Sequence, residues 1–226
     1  MKTVLSLSGG MDSTTLLGIL LEQGHAVYPV IFSYGSKHGV YENKAAKDVW
    51  EYYITKHPKL MDYIEIDLST AFSAFKSDLL LTGGKIPEGH YAEDSMKATV
   101  VPGRNTIFIA FLLGIAESIK ANTIALGVHS GDHHIYPDCR EEYIRSMQQT
   151  IFHAAEQAIK LKAPLLHDDK TSILQKGYNL PIPVPYHLTR TCYKDQPLSC
   201  GKCGSCQERL EAFHNINGKD SIDYAN

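Results

Sequence analysis

The chain has 226 residues, 43% hydrophobic and 21% charged, with a formal net charge of -3. A chain of this size buries a full core without a disulfide scaffold, and its charge balance supplies no general attraction to nucleic acid or to a membrane surface. No apolar run approaches the ~20 residues needed to span a bilayer. The opening stretch Met1–Leu7 is interrupted by Gly9, Gly10 and Asp12 too early for a signal peptide, so a cytoplasmic protein is expected.

Strand and helix patterns alternate along the chain. Val4 to Leu7 reads as a short buried strand. Residues Ser13 to Glu22 carry the helical spacing of Leu16, Leu17, Ile19, Leu20 and Leu21, stopped by Gly24. A second strand covers Ala26 to Phe32, where Pro29 suits an edge position or a bulge. A helix from about Tyr41 to Lys56 and a strand from Tyr63 to Asp67 follow.

Leu68 to Val101 breaks this rhythm with Gly83-Gly84 and Pro87-Glu88-Gly89, and reads as a long irregular excursion able to close over a site. Helix Asn105 to Ser118 and strand Thr123 to Gly127 resume the alternation. A long helix from Glu142 to Ile159, a fifth strand from Ala163 to Leu166 and a short helix from Thr171 to Lys176 complete it. The tail holds a proline-rich run, four crowded cysteines and a closing helix from about Ser205 to His214. Alternation of this kind implies an α/β fold with a doubly wound parallel sheet. The expected division is 1–180 for this domain and 181–226 for a small metal-binding segment packed on it.

The turn Ser8-Gly9-Gly10-Met11-Asp12-Ser13 joins the first strand to the first helix. Glycines let the backbone approach an anion, and the helix start aims free N–H groups at it. A Walker A loop would carry a lysine here, and a dinucleotide turn has different glycine spacing. The turn resembles the PP-loop, SGGxDS, of the ATP pyrophosphatases, which holds the pyrophosphate of ATP while an acceptor attacks the α-phosphorus. Leu7, Ser8, Gly9, Gly10, Met11, Asp12, Ser13 and Thr14 are therefore the expected ATP-binding residues, with Asp12 associated with Mg²⁺. A plain helix cap at a tight turn is the simpler alternative.

Cys192, Cys200, Cys203 and Cys206 have the spacing C-x7-C-x2-C-x2-C. Four thiolates with two C-x2-C steps suit one tetrahedral structural Zn²⁺ without an open coordination position. A redox pair or an iron–sulfur cluster are the alternatives.

Two further segments are rich in chemistry. Gly127 to Arg140 carries Asp132, Asp138, Cys139, Arg140 and the histidines 129, 133 and 134, beyond the carboxyl end of the fourth strand, where open α/β sheets bind ligands. Asp132 and Asp138 could hold Mg²⁺ or a substrate amine, and Arg140 a carboxylate or phosphate. A polar surface loop with a helix cap at Asp138 is the alternative. Pro102-Gly103-Arg104-Asn105 puts a cation at a helix start, against the helix dipole, which points to an anionic ligand near Arg104.

Taken in order, the Ser8–Ser13 loop, Tyr34-Gly35 with His38 and Glu42, Val101 to Asn105, Tyr136 to Arg140, and the four cysteines followed by Arg209 resemble the 7-cyano-7-deazaguanine synthase family across nearly the whole chain. One departure is Ser33-Tyr34-Gly35-Ser36, where that family commonly has Asp-Tyr-Gly-Gln. The resemblance implies a ligase using ATP, Mg²⁺, ammonia and 7-carboxy-7-deazaguanine, with one structural Zn²⁺ per chain. Adenylated carboxylate and amide intermediates would lead to the nitrile. Asp12, Arg104, Asp132, Asp138 and Arg140 are the expected catalytic residues. A homodimer without membrane or nucleic-acid partners is the implied assembly.

Overall fold

The structure, a computed structural model, describes residues 1–225. Five strands, β1 (Lys2–Ser6), β2 (Ala26–Ser33), β3 (Ile64–Asp67), β4 (Thr123–Ala125) and β5 (Lys160–Lys162), form one parallel sheet in the order β3-β2-β1-β4-β5. The chain winds outward from β1 to β3, then crosses back to β4 on the other side of β1. That reversal places a crevice beyond the carboxyl ends of β1 and β4.

Alternation along the central strands sorts the side chains to two faces. Val4 and Val30 face a core built with Phe108, Ile109 and Leu112 of α4 (Arg104–Ser118) and with Ile144 and Ile151 of α5 (Glu141–Ala154). Leu5, Val27 and Ile31 face the opposite core, against α1 (Met11–Glu22), α2 (Gly39–Ile54) and α6 (Lys170–Tyr178). Period-two burial on both faces requires helices on both sides of the sheet, as the sequence pattern implies. The closing helix α7 (Gly204–Asn215) joins Met11 and Leu174 through Ala212 and Phe213.

Pro29 is accommodated by a bulge on an interior strand. The Val27–Leu60 bridge and the Val30–Ile64 pair differ in register by one residue, so the ladder toward β3 is broken opposite Pro29. The missing N–H falls in that gap. Most boundaries shift by one or two residues from the sequence expectation, and two shift further. α5 ends at Ala154, where Glu117 accepts from the Glu156 N–H (3.1 Å). The fifth strand is Lys160–Lys162, not Ala163–Leu166: Gln148 accepts from the Leu161 N–H (2.6 Å), and Pro164 follows the strand in a turn. β5 lies at the sheet edge, and its flanking lysines discourage pairing with another chain.

The excursion from 68 to 101 contains the one-turn helix α3 (Ser69–Phe72) and a 3-10 turn at Asp94–Thr99. Phe72, Leu79, Leu80, Tyr91 and Met96 are buried in the α4-side core. The Lys37 ammonium also donates to the carbonyls of Asp78 and Gly84. This segment is packed as part of the core, and it brings the Tyr91 hydroxyl to Asp132 behind the crevice.

Candidate active site

α1 starts at Met11 behind Gly10, whose lack of a side chain leaves the first N–H groups of the helix uncapped by any side chain. Gly9 has φ +75°, and a Cβ there would lie 2.4 Å from the Ala46 nitrogen of α2. Only glycine fits that close approach at positive φ. Within the turn, Ser8 Oγ and Ser13 Oγ are 3.0 Å apart, and Ser8 Oγ accepts from the Gly10 N–H (3.3 Å). Ser13 Oγ also accepts from the Ser8 N–H (3.2 Å), so the hydroxyls tie the turn together through its own amides.

The flanking residues of the loop act through their backbone. Leu7 and Met11 bury their side chains in separate cores, and Leu7 N–H donates to Val30 O (2.9 Å). Thr14 is fully buried, with its amide donated to Gly10 O (3.1 Å).

The Asp12 carboxylate lines the crevice and belongs to a largely buried charge cluster. Lys170 Nζ reaches both Asp12 oxygens (2.9 and 2.7 Å) and lies 3.3 Å from Glu208. His129 Nε2 lies 3.7 Å from Asp12 and 3.5 Å from Asp132. Gly131 N–H donates to His129 Nδ1 (3.1 Å), and His129 Nε2 also lies 3.0 Å from Lys170 Nζ, so the ring bridges the ammonium and the carboxylates. Tyr91 OH donates to Asp132 Oδ1 (2.5 Å).

Burial alone would raise the Asp12 carboxyl, but the Lys170 ammonium and His129 outweigh it and hold Asp12 below the usual carboxylate range. Burial alone would lower Lys170; Asp12, Glu208 and Asp132 outweigh it and keep the ammonium charged. Burial raises Glu208, with Lys170 and His129 pulling the other way. Three carboxylates thus face one ammonium, an excess of negative charge beside an anion-binding turn. A carboxylate of Asp12 or Asp132 would offer a hard oxygen ligand to a divalent cation there.

The other end of the crevice is aromatic. Tyr34, Phe108 and Tyr193 line it with His38, Glu42, Arg104, Asn105 and Cys139. Arg104 Nη1 donates to Tyr34 OH at 3.4 Å, a long contact that leaves most of its donors free for an anion. Burial, reinforced by the Glu42 charge, pushes the Tyr34 phenol up to about 12.

The expected site residues therefore divide. Ser8, Gly10, Asp12, Ser13, Arg104 and Asp132 line one crevice. Asp138 stands behind it: its Oδ2 accepts from the Asn105 N–H (3.1 Å), capping α4 and fixing Arg104 one residue earlier. Arg140 does not line the crevice. It is exposed, stands at the N-cap of α5 and donates from Nε to His133 O (2.8 Å). Cys139 lines the crevice but is buried, and burial drives its thiol well above the usual range, as expected of a packing residue. His129, Lys170 and Glu208 were not singled out from sequence as site residues. Lys170 carried a readable signal: it follows the N-cap Asp169, a cation at a helix start, the same mismatch that marks Arg104.

The sulfur atoms of Cys192, Cys200, Cys203 and Cys206 all lie within 4.8 Å of one another, and all four residues are buried. Amides of Cys200 (3.2 Å) and Cys203 (3.3 Å) donate to the sulfurs of Cys192 and Cys200. Four converging sulfurs with N–H donors can hold a metal ion as thiolates. Among the described residues this is the one such group, and the histidines 129, 133 and 134 form none.

A five-stranded parallel sheet with this turn at its switch point defines a PP-loop nucleotide-binding α/β protein. A 4-thiouridine synthetase, solved in complex with RNA and bound ATP, has a similar fold. It matches with a TM-score of 0.55 at 21% identity, over 93% of this chain and 49% of that one. The 7-cyano-7-deazaguanine synthase of Pseudoalteromonas translucida is 43% identical over 223 residues, 99% of this chain and 98% of the relative. That of Caldicellulosiruptor saccharolyticus is 42% identical over 224 residues, 99% and 96% of the two chains. The family model described as "Queuosine biosynthesis protein QueC" matches residues 2–217. The chain belongs to the QueC family.

Proposed function

We propose that this protein is the ATP-dependent ligase that converts 7-carboxy-7-deazaguanine and ammonia to 7-cyano-7-deazaguanine, on the way to queuosine and related 7-deazapurines. The observation that carries the reading is one crevice combining the uncapped Ser8–Ser13 turn, the Asp12–Lys170–Glu208–Asp132 cluster and the free guanidinium of Arg104. The names of the relatives matched over nearly their full length support the same product.

A carboxylate is a poor electrophile, and its attack on the α-phosphorus of ATP exchanges pyrophosphate for a good leaving group. Ammonia then adds to the acyl carbon, AMP leaves and an amide results. A second adenylation, on the amide oxygen, lets loss of AMP and of the two nitrogen protons give the nitrile. The turn amides and the Ser8 and Ser13 hydroxyls bind the departing pyrophosphate. Lys170, paired with Asp12 and Glu208, holds the Asp12 carboxylate in place and offsets part of the negative charge beside the phosphates. Arg104 neutralises the substrate carboxylate and the phosphoryl oxygens during attack, and Asp138 keeps Arg104 in place by capping its helix. Mg²⁺, when bound by Asp12 or Asp132 with the phosphates, lowers the charge repulsion that opposes attack.

The four cysteines hold a structural Zn²⁺, since no ligand position is left open for a substrate. The chain is best divided at about residue 180, with 181–226 as the zinc segment. A cytoplasmic homodimer that uses free or partner-supplied ammonia is what the family resemblance implies, and binding of no nucleic acid fits the negative net charge. The test is incubation with ATP, Mg²⁺, ammonium and 7-carboxy-7-deazaguanine, followed by mass spectrometry. Absence of the nitrile from metal-loaded, ATP-binding protein refutes the proposal.

A further inference from the structure

At the aromatic end of the crevice several buried polar groups of neighbouring residues lack partners together. Glu42, in the first turn of α2, has its Oε2 buried and without a hydrogen-bond donor other than His38 Nε2 at 3.2 Å, a contact that becomes an ion pair only when the imidazole is protonated. His38 is 5% exposed, with Nδ1 unpartnered, and the neighbouring Ser36 hydroxyl is also buried and unpartnered. Both His38 and Glu42 line the crevice, between Tyr34 and Tyr193, whose ring lies 5.5 Å from that of His38. Buried polar atoms left in this state are costly, and folded proteins seldom carry several together without water or a ligand to satisfy them.

The charges are arranged as well as the shape. Arg104 and Glu42 line the same crevice and form no ion pair with each other among the described residues. A planar ligand seated there meets a guanidinium along one edge and a carboxylate along another. A 7-carboxy-7-deazaguanine has matching edges: its carboxylate and 6-oxo group accept, and its N1–H and 2-amino group are two adjacent donors. A carboxylate has two acceptor oxygens and no donor, so it pairs with that amidine-like edge. Adenine offers an acceptor nitrogen at the equivalent position, which a carboxylate repels.

We infer that Glu42, oriented by His38, reads the N1–H and 2-amino edge of the deazaguanine and sets the specificity of the enzyme for a guanine-type ring. This rests on the substrate proposed above and adds the residue that selects it. His38 acts through Glu42 as a positioning residue.

The test compares 7-carboxy-7-deazaguanine with its analogue lacking the 2-amino group, in the wild type and in Glu42→Gln, by nitrile formation. The wild type is expected to favour the parent on the order of 100-fold in kcat/KM, because a site built to accept that N–H is left unpaired by the analogue. Glu42→Gln should raise KM for the parent by about 10- to 100-fold and reduce the preference to a few-fold, while KM for ATP changes less than about two-fold. A wild type that accepts both rings equally overturns the inference without any variant. So does a variant that keeps the preference, or one in which KM for ATP rises and that for the deazaguanine does not. Unchanged ATP affinity establishes that the variant is folded. If the wild type makes no nitrile, the proposed reaction fails, and calorimetric binding of the two heterocycles to the ATP-bound protein still decides the role of Glu42.

Discussion

Replacing Gly9 by Ala isolates what the phosphate turn demands of its backbone. The new Cβ would lie 2.4, 2.8 and 2.9 Å from Ala46 N, Ala45 C and Ala46 Cα, all backbone of α2. Holding an L-residue at φ +75° costs about 1–2 kcal/mol. Relieving the overlap costs about 1–3 kcal/mol more, because a helix backbone cannot swing aside as a side chain can. The total, roughly 2–5 kcal/mol, corresponds to a loss of about 5–20 °C in Tm for a chain of this length. Gly103→Ala is the control, since its φ is +64° and no atom lies within 4 Å of the added Cβ. It should lose only the conformational part, about 2–8 °C. Restoring normal contact at Gly9 also shifts the turn by about 1 Å, enough to slow turnover on the order of 100-fold and to weaken ATP binding about ten-fold or more. Scanning calorimetry of both variants and titration with ATP measure these effects. If Gly9→Ala melts no lower than Gly103→Ala, or binds ATP within a few-fold of wild type, the close approach to α2 is not what constrains the loop.

Lys170→Met should abolish turnover and cost about 3–5 kcal/mol in urea unfolding, because it leaves Asp12 and Glu208 buried without their cation. With Lys170 present, the depressed Asp12 contributes stability above its unfolded value of 3.8 that disappears as pH falls through the folded value; that acid-side loss should shrink in the variant. Glu208 has the opposite sign. Its folded value is raised above 4.5, so the folded state holds the proton longer and stability falls as pH rises through the window just above 4.5. Glu208→Gln should remove that fall, and urea midpoints near pH 4 and near pH 7 would then differ less than in the wild type. Tyr91→Phe frees Asp132 and should lower kcat about ten-fold with little change in KM, measured by pyrophosphate release. In thiol titration, none of the five cysteines should react in the native metal-bound protein, and all five should after chelation in denaturant.

The sequence was most readable where chemistry is local. The Ser8–Ser13 turn and the four late cysteines each lie within about fifteen positions, and their spacing alone constrains what they can do. Residues that meet only through the fold were less readable. His129 and Asp132 follow β4, Lys170 opens α6 and Glu208 lies on α7, so no window of sequence contains the cluster around Asp12. Asp138 shows the converse: a carboxylate that looked like a ligand is used by Asn105 as a helix cap. Arg140, next to it, is turned outward by the start of α5. The fifth strand was misplaced because Lys-Leu-Lys has little apolar content. Its place is secured by Gln148, thirteen residues earlier, rather than by its own pattern.

Arg190 connects two parts of the molecule that the sequence keeps apart. Its amide donates to Gly9 O (2.9 Å), and its guanidinium grips the carbonyls of Lys194, Gln196 and Pro197, in the loop between Cys192 and Cys200. The phosphate turn and the cysteine loop therefore share one strut. Any free energy that a metal ion spends on ordering its loop is available to the turn, and the reverse holds with equal size. Nucleotide should slow the escape of metal to a chelator by the same coupling through which metal tightens nucleotide. Depleting the ion would then lower activity by loosening the grip on ATP before the protein unfolds.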